Sequence, residues 1–190
     1  MSDYDSLKGS FLIAGKDLRD RNFYKTVVLI VEHGENGAMG LVINRPSTMS
    51  VAHVLSEHFQ LPETNDLVYV GGPVEPAALF VLHNCPHLDE SGYSVAAGVY
   101  VGSSAESFQS VIEEAIADDS DFRYRIFSGF AGWAPGQLEG EMDRGDWFIQ
   151  PFGGEFVLND DPYYVWDELM ERVHLENRML LEVRVDPEWN

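Results

Sequence analysis

Apolar residues near the start of the chain fall into short runs separated by polar turns. The runs cover residues 9–14, 26–32 and 38–44, and they are rich in large aliphatic and β-branched side chains. Runs this short and continuous are typical of strands that are buried on both faces. Between the second and third runs stands Asn36-Gly37, a pair that accepts the positive φ angles of a tight hairpin turn. The pattern predicts a strand followed by an antiparallel hairpin.

The rest of the chain alternates between strand-like and helix-like spacing, after a break of the strand at Arg45-Pro46-Ser47. Further strands are predicted at residues 67–70, 79–83, 95–101, 123–130, 147–150 and 179–185. Helices are predicted at residues 51–58, 103–117, 135–142 and 162–173. Strands outnumber helices, which favours an α+β fold with a mostly antiparallel sheet flanked by a few helices. We expect a single compact domain over residues 1–190, and a barrel-like closure of the sheet is one arrangement open to it.

The charge is strongly negative and unevenly spread. The chain has 32 acidic and 12 basic residues, for a net charge of −20. Residues 1–60 carry seven acidic and six basic side chains, whereas residues 61–190 carry 25 acidic and six basic ones. A surface of this sign repels phosphate backbones, so direct nucleic-acid binding is not expected. The acidity is compatible with solubility in a crowded cytosol and with docking of a basic partner surface.

Few residues indicate a cofactor or a metal ion. Cys85 is the single cysteine, which argues against an internal disulfide and a zinc site and favours the reducing cytosol. The six histidines show no metal-binding spacing. No apolar run reaches the roughly 20 residues of a membrane span. The sequence therefore predicts no metal, no cofactor, no membrane association and no identifiable catalytic residue.

The stretch 129–142, GFAGWAPGQLEGEM, is the most unusual part of the chain. It contains four glycines, a proline and a tryptophan. Glycine permits positive φ and close backbone approach, and proline suits the first turn of a helix. We therefore expect a strand–turn–helix corner in which Trp133 is at least half buried and Pro135 lies in the first turn of the helix.

Several motifs of rare residues follow one another in a specific order: GSFLIA near the start, DRNF at residues 20–23, the TVVLIVEH–GAMGLVINRP hairpin, GGPV before a strand that ends in Leu-His, the stretch 129–142, and Trp147. On these motifs the chain resembles the YqgE/AlgH family, also called UPF0301 or DUF179. The resemblance covers about residues 7–170 and weakens over the tail, residues 171–190. It implies a cytosolic bacterial α+β protein without an established enzymatic activity. Family members have been described as candidate transcriptional regulators through a link to alginate control, but the acidity of this chain argues against direct DNA binding.

The candidate ligand or interaction site consists of polar, glycine and aromatic residues from these motifs: Asn44, Arg45, Gly71, Gly72, Trp133, Gln137, Glu139 and Glu141. Gly71-Gly72 either forms a turn or presents N–H groups to an anion. Arg45 either pairs with Glu139 or Glu141 or binds an anion itself. Glu139 and Glu141 diverge on a helix because they are two residues apart, so they cannot act as a paired acid and base.

These features lead to three hypotheses. The leading one is a non-enzymatic binding or regulatory protein whose partner is an unknown protein or a small anionic ligand. Its site is expected where the glycine loop and the 129–142 corner meet Arg45. The second is an enzyme on a small anionic substrate, with Arg45 as anchor and Glu139 or His83 as proton carrier. The third is an interaction module that uses its acidic surface. A cavity that holds Arg45 favours a ligand, and a filled corner favours an interaction.

Overall fold

The computed structural model describes residues 6–18, 20–59, 61, 64–88, 94–117, 121–158 and 161–183, with the backbone alone over 180–183. Ten strands and five α-helices occur within these residues. The strands are β1 (Phe11–Ala14), β2 (Val27–Gly34), β3 (Gly37–Val42), β4 (Pro46–Ser50), β5 (Leu67–Val70), β6 (Val74–His83), β7 (Ser94–Ala96), β8 (Val99–Gly102), β9 (Tyr124–Trp133) and β10 (Trp147–Gln150). The helices are α1 (Val51–Leu55), α2 (Ala105–Ile116), α3 (Gln137–Asp143), α4 (Gly154–Val157) and α5 (Val165–Val183). Short 3-10 helices occur at Arg21–Phe23 and Pro86–Leu88.

The strands form one sheet, and eight of them follow the order β10-β1-β2-β3-β9-β6-β8-β7. Strand β5 also pairs with β9, and β4 pairs with β5. Each described pairing is antiparallel except that of β5 with β9. The predicted α+β class, with a mostly antiparallel sheet in a single compact domain, is confirmed. The barrel-like arrangement is not formed, because β10 and β7 are the two ends of an open sheet over the described strands.

Strand β9 joins the two halves of the sheet. Its first half pairs with β6, where Ile126 lies opposite Val81. Its last residues pair with β3, where Trp133 lies opposite Ala38. The strand therefore ends beside the β2–β3 hairpin, and the chain turns there to enter α3.

Both faces of the sheet are buried, as the continuous apolar runs predict. Along β2, Val27, Leu29 and Val31 belong to one core cluster, and Val28 and Ile30 belong to another. The first cluster includes the inner face of α5, and the second includes residues of α3. A third cluster lies between α1, α2 and the strands β5, β6 and β9. Alternate residues of one strand thus hold two layers of helices against the sheet.

Serine side chains begin the two helices of the third cluster. The hydroxyl of Ser50 accepts a hydrogen bond from the backbone N–H of His53 at 3.2 Å, and that of Ser104 accepts one from Ser107 at 3.1 Å. Each bond satisfies an N–H group that the first turn of a helix leaves without an internal partner. None of the described helices has both the length and the apolar character needed to traverse a bilayer.

Several stretches differ from the sequence prediction. Strand β6 begins at Val74 instead of residue 79, and α1 ends at Leu55 instead of residue 58. Residues 46–50 form β4 instead of a break, and Pro46 is tolerated because β4 is an edge strand, paired only with β5. The predicted strand over 95–101 is split into β7 and β8 by a turn at Gly98, which has a φ of +74°. Residues 179–183 continue α5 instead of forming a strand, because extending a helix that is already packed costs little. Residues 184 and 185 of that predicted strand lie outside the described residues.

Candidate functional site

The stretch 129–142 forms the expected strand–turn–helix corner. Trp133 ends β9 and is 6% exposed, which confirms that it is buried. Gly136 precedes the helix with a left-handed φ of +73°, a conformation that glycine adopts at little cost. The position of Pro135 was predicted wrongly, because α3 begins at Gln137 and Pro135 lies in the turn. The side chain of Gln137 holds this turn by accepting a hydrogen bond from the N–H of Ala134 at 3.0 Å.

The carboxylate of Glu141 is the centre of the corner. Its Oε2 accepts the indole N–H groups of Trp133 and Trp147, each over 2.8 Å. Its Oε1 accepts the side-chain amide of Gln137 at 2.9 Å. All three donors are neutral, and the described residues contribute no ion pair to Glu141. The carboxylate is therefore oriented by hydrogen bonds, whereas its charge is not neutralised by a neighbouring cation.

Three aromatic rings surround this carboxylate. Phe23 stacks on Trp133 with ring centroids 6.2 Å apart and meets Trp147 edge to face at 5.3 Å. Phe23 ends a 3-10 helix that is capped by the side chain of Asp20, which accepts the N–H of Asn22. Phe23 and Trp147 were absent from the sequence-based site. Trp147 and Phe23 both stood among the family motifs, but no local spacing places β10 or the Phe23 loop beside α3.

A cavity of about 690 Å³ opens beside these groups. We call it the indole cavity, and it is lined by Asp17, Leu18, Asp20, Phe23, Pro73, Gly132, Trp133, Gln137, Glu141, Arg144, Asp146 and Trp147. Among the residues that the structure describes, four of those lining the cavity are acidic and one is basic. The guanidinium of Arg144 donates to Asp146 at 2.8 and 3.0 Å. The lining is therefore net negative and attracts positive charge.

Arg45 does not reach this cavity, and its expected pairing with Glu139 or Glu141 is wrong. Its guanidinium donates to the backbone carbonyls of Asn22 and, at 3.0 Å, Tyr24. Partial burial lowers the pKa of Arg45 from its ordinary value. Arg45 thus holds the segment on either side of Phe23 and acts on the cavity through that segment.

Asn44 has a similar bridging role. Its side-chain oxygen accepts the N–H of Val27 at 2.9 Å, and its amide donates to the carbonyl of Lys25 at 2.9 Å. These bonds replace ladder bonds at the point where β3 has ended and β2 begins. Asn44 therefore fixes the chain that leads out of the Phe23 segment.

Gly71 and Gly72 permit a close approach of backbones. The N–H of Gly71 donates to the carbonyl of Ser128 at 2.9 Å, and its own carbonyl accepts from Val42 at 2.8 Å. A Cβ on Gly71 would lie 2.3 Å from the carbonyl oxygen of Gly129, and one on Gly72 would lie 2.1 Å from Phe130. The pair is thus needed for packing against β9, and the Gly71 amide is already bonded within the sheet.

Glu139 belongs to a different contact. Its carboxylate lies 3.0 Å from Nε2 of His33, a ring whose Nδ1 accepts the backbone N–H of Leu7 at 3.1 Å. Since Nδ1 is the acceptor, the neutral ring carries its proton on Nε2 and donates it to Glu139. The pKa of Glu139 is lowered, first by a hydrogen bond from its own backbone and then by His33. Of the predicted residues, Trp133, Gln137 and Glu141 meet at the cavity, and Glu139 does not line it.

Comparison with known proteins places this site in a family. The sequence profile of the AlgH-like family, DUF179, matches residues 11–178. The chain belongs to the AlgH-like family. The match includes the strands, the 129–142 corner and most of α5, and it extends beyond residue 170, where the resemblance was expected to weaken. The AlgH-like corner, with its two indoles and Glu141, lies entirely inside the matched region.

Relatives of this AlgH-like chain occur in distant bacteria. A UPF0301 protein of Myxococcus xanthus is 33% identical over 179 residues, which cover 93% of this chain and 96% of that protein. One from Streptomyces avermitilis is 31% identical over 195 residues, covering 100% and 98%. The names of these relatives state neither an activity nor a ligand.

Two solved structures share the AlgH-like fold. The solution structure of the AlgH protein from Pseudomonas aeruginosa has a TM-score of 0.67 at 32% identity and covers 100% of this chain and 98% of its own. A crystal structure of a Corynebacterium diphtheriae protein has a TM-score of 0.71 at 25% identity, with 90% of each chain covered.

Proposed function

We propose that this AlgH-like protein is a non-enzymatic binding protein of the bacterial cytosol, and that its indole cavity receives a positively charged group. The observation that carries the proposal is the Glu141 carboxylate, held by three neutral donors on the wall of a net negative cavity. An entering ammonium or guanidinium group would supply the countercharge that the described contacts do not provide.

The geometry of the carboxylate favours binding over simple structural use. Neutral donors fix the direction of both oxygens before a ligand arrives, so little ordering entropy is lost on binding. A carboxylate accepts about four hydrogen bonds, and three are occupied by Trp133, Trp147 and Gln137. One acceptor direction is left for the ligand. The nearby ring of Phe23 adds a π face that attracts a cation placed over it.

The charge of the cavity argues against the small anionic ligand that the sequence suggested. The one basic lining residue, Arg144, is already bonded to Asp146. The described lining contains no histidine, cysteine, serine or lysine, so its acid–base groups are carboxylates and it offers no serine or cysteine nucleophile. A basic segment of a protein partner or a small organic cation fits better than an anionic substrate.

The proposal is tested by titrating the full chain with matched probes while its tryptophan fluorescence is followed. The probes are arginine amide, tetramethylammonium, acetate and inorganic phosphate, together with a lysine-rich and a glutamate-rich peptide of equal length. We expect the cations to bind and the anions not to bind. Glu141→Gln should weaken cation binding by about tenfold or more, since a hydrogen bond to a charged group is worth about 1.5–3 kcal/mol.

Glu155→Gln is the matched control, because Glu155 is an exposed acid outside the cavity. It should bind the cations as the wild type does. Preference for acetate or phosphate, or equal weakening by both substitutions, would overturn the proposal. Under this proposal, any regulatory role is exerted through a bound protein or small cation. Only weak non-specific DNA binding is expected at physiological salt.

A further inference from the structure

A second cluster of reactive side chains lies far along the chain from the 129–142 corner. Cys85 follows the end of β6, His87 lies in the 3-10 helix after it, and Glu114 lies in the last turn of α2. A ligand atom from each residue lies within 4.8 Å of the other two. None of the three lines the indole cavity. We propose that Cys85, His87 and Glu114 bind one divalent transition-metal ion with the preferences of Zn²⁺.

Two of the three distances between the ligand atoms match the edges of a tetrahedron around zinc. Nε2 of His87 lies 3.5 Å from Sγ of Cys85 and 3.4 Å from Oε2 of Glu114. Zinc bonds of about 2.3 Å to sulfur and 2.0–2.1 Å to nitrogen or oxygen, at tetrahedral angles, require edges of about 3.6 and 3.3 Å. Two of the three pairs are therefore already spaced as ligands of a common ion, and the sulfur and the carboxylate lie within 4.8 Å of each other. Because Nδ1 of His87 lies nearer the sulfur, at 3.1 Å, binding through Nε2 requires the ring to turn.

The backbone explains why the three residues meet. The N–H of Leu88 donates to the carbonyl of Cys85 at 3.4 Å. This bond closes the turn of the 3-10 helix, so the His87 ring lies beside the Cys85 sulfur. Leu88 packs against the third core cluster, which contains Phe108 and Val111 of α2. Glu114 follows Val111 by three residues, so it lies on the same face of α2. The packing of α2 against the core thus places Glu114 beside Cys85 and His87.

Cys85 is positioned by a buried neighbour. Its N–H donates to Nδ1 of His83 at 3.3 Å. His83 is 3% exposed and stacks on Tyr100 with ring centroids 5.5 Å apart. A ring held in this way restrains the loop that presents the sulfur, as outer groups restrain the ligands of metal sites.

The donor set suits a borderline metal. A thiolate, an imidazole and a carboxylate are the three ligand types of protein zinc. On binding, the Cys85 thiol loses its proton to solvent, His87 is neutral and Glu114 is ionised. Three protein ligands leave one position for water or for a group from a partner. The side chain of His87 is 67% exposed, so an ion reaches the cluster from solvent.

The sequence predicted no metal site, and the reason is clear from the fold. Cys85 and His87 are two residues apart, a spacing that is uninformative alone, and Glu114 comes from a helix 27 residues further along. Only the packing of α2 against the 3-10 helix shows the third ligand.

The test is a titration of the metal-free full chain with Co²⁺, followed by competition with Zn²⁺. We expect one ion per chain and a thiolate-to-cobalt charge-transfer absorption that Zn²⁺ abolishes. Cys85→Ala should remove the absorption. His87→Ala should weaken binding by more than about 100-fold, because outer partners alone are worth about 10–100-fold. Glu114→Gln should weaken binding in the same direction, and acidification should weaken it in the wild type because the ligands must lose protons.

Glu113→Gln and His58→Ala are matched controls, because Glu113 is an exposed acid on α2 bonded to Gln109 and His58 is an exposed histidine elsewhere. Both should bind cobalt as the wild type does, and circular dichroism melts confirm that each variant is folded. Binding that survives Cys85→Ala would show adventitious uptake by the acidic surface and overturn the proposal. Absence of binding, with rapid alkylation of Cys85 that depends on His87, would also overturn it and assign a thiol–imidazole pair instead.

Discussion

Trp133 and Trp147 donate their indole N–H groups to the same oxygen of Glu141, each over 2.8 Å. They come from β9 and β10, which β3, β2 and β1 separate in the sheet. Their rings also meet edge to face, with centroids 5.8 Å apart. One carboxylate on α3 therefore ties together two strands that share no ladder. Because the same carboxylate carries the proposed binding function, stability and binding are coupled at this point.

Trp133→Ala tests the packing part of this coupling. Trp133 is 6% exposed and contacts both Phe23 and Trp147. Its truncation should lower the free energy of unfolding by about 3–5 kcal/mol, as large-to-small core substitutions do. Urea unfolding followed by circular dichroism measures the change. Tyr163→Ala is the control, because Tyr163 is 75% exposed and should be near neutral. A near-neutral Trp133→Ala would mean that the corner is not a packing element and that the tryptophan serves a partner.

Two substitutions of Glu141 separate its hydrogen-bonding role from its charge. Glu141→Leu leaves the indole donors of Trp133 and Trp147 without their acceptor, which should cost about 1–3 kcal/mol for each donor that stays buried and unpaired. Glu141→Gln keeps an acceptor oxygen and should cost far less stability, although it removes the charge that cation binding requires. Urea unfolding of the two variants measures the difference. Equal destabilisation by both would show that the charge, and not the acceptor geometry, stabilises the corner.

The accuracy of the sequence-based predictions depends on the range of the interactions. The hairpin, the buried strands and the Trp133 corner are set by neighbours in sequence, by turn residues and by apolar runs, so they were predicted. Trp147 and Phe23 were missed because strand order brings them to Glu141. The error over Arg45 has the same origin. Arg45 follows Ala38, the residue paired with Trp133, by seven residues of mostly extended chain. A chain of this length spans about 20 Å.

Arg45→Met tests the positioning role that the structure gives to this arginine. The substitution removes hydrogen bonds to the carbonyls of Asn22 and Tyr24. We expect a loss of about 1–2 kcal/mol, at the low end for bonds to a charged group because Arg45 is only partly buried. Amide hydrogen exchange should speed up around Phe23, and cation binding should weaken with it. Arg21→Met is the control, since Arg21 is an exposed arginine on the 3-10 helix that contains Phe23. A loss as large as about 3–5 kcal/mol would indicate a stranded buried carboxylate.

The Glu139–His33 contact predicts a specific pH dependence. A hydrogen bond from the backbone of Glu139 and the nearby His33 lower the pKa of Glu139 below its ordinary 4.5. The folded state therefore prefers the ionised carboxylate. Its contribution to stability is present above the ordinary pKa and is lost as the pH falls through the lowered one. Glu139→Gln should therefore be less stable than the wild type near neutral pH, and the gap should close on acidification.

Thermal melts of the two proteins from about pH 7 to about pH 3 measure this gap. Glu57→Gln is the matched control, because Glu57 is an exposed acid that forms no ion pair with the described residues. It should show no comparable change. His33→Ala should reduce the gap, since it removes the donor 3.0 Å from the carboxylate. A gap between wild type and Glu139→Gln that stays constant with pH would show that the charge of Glu139 is not what the fold stabilises. The contact would then be a neutral hydrogen bond, and the lowered pKa would be without consequence for stability.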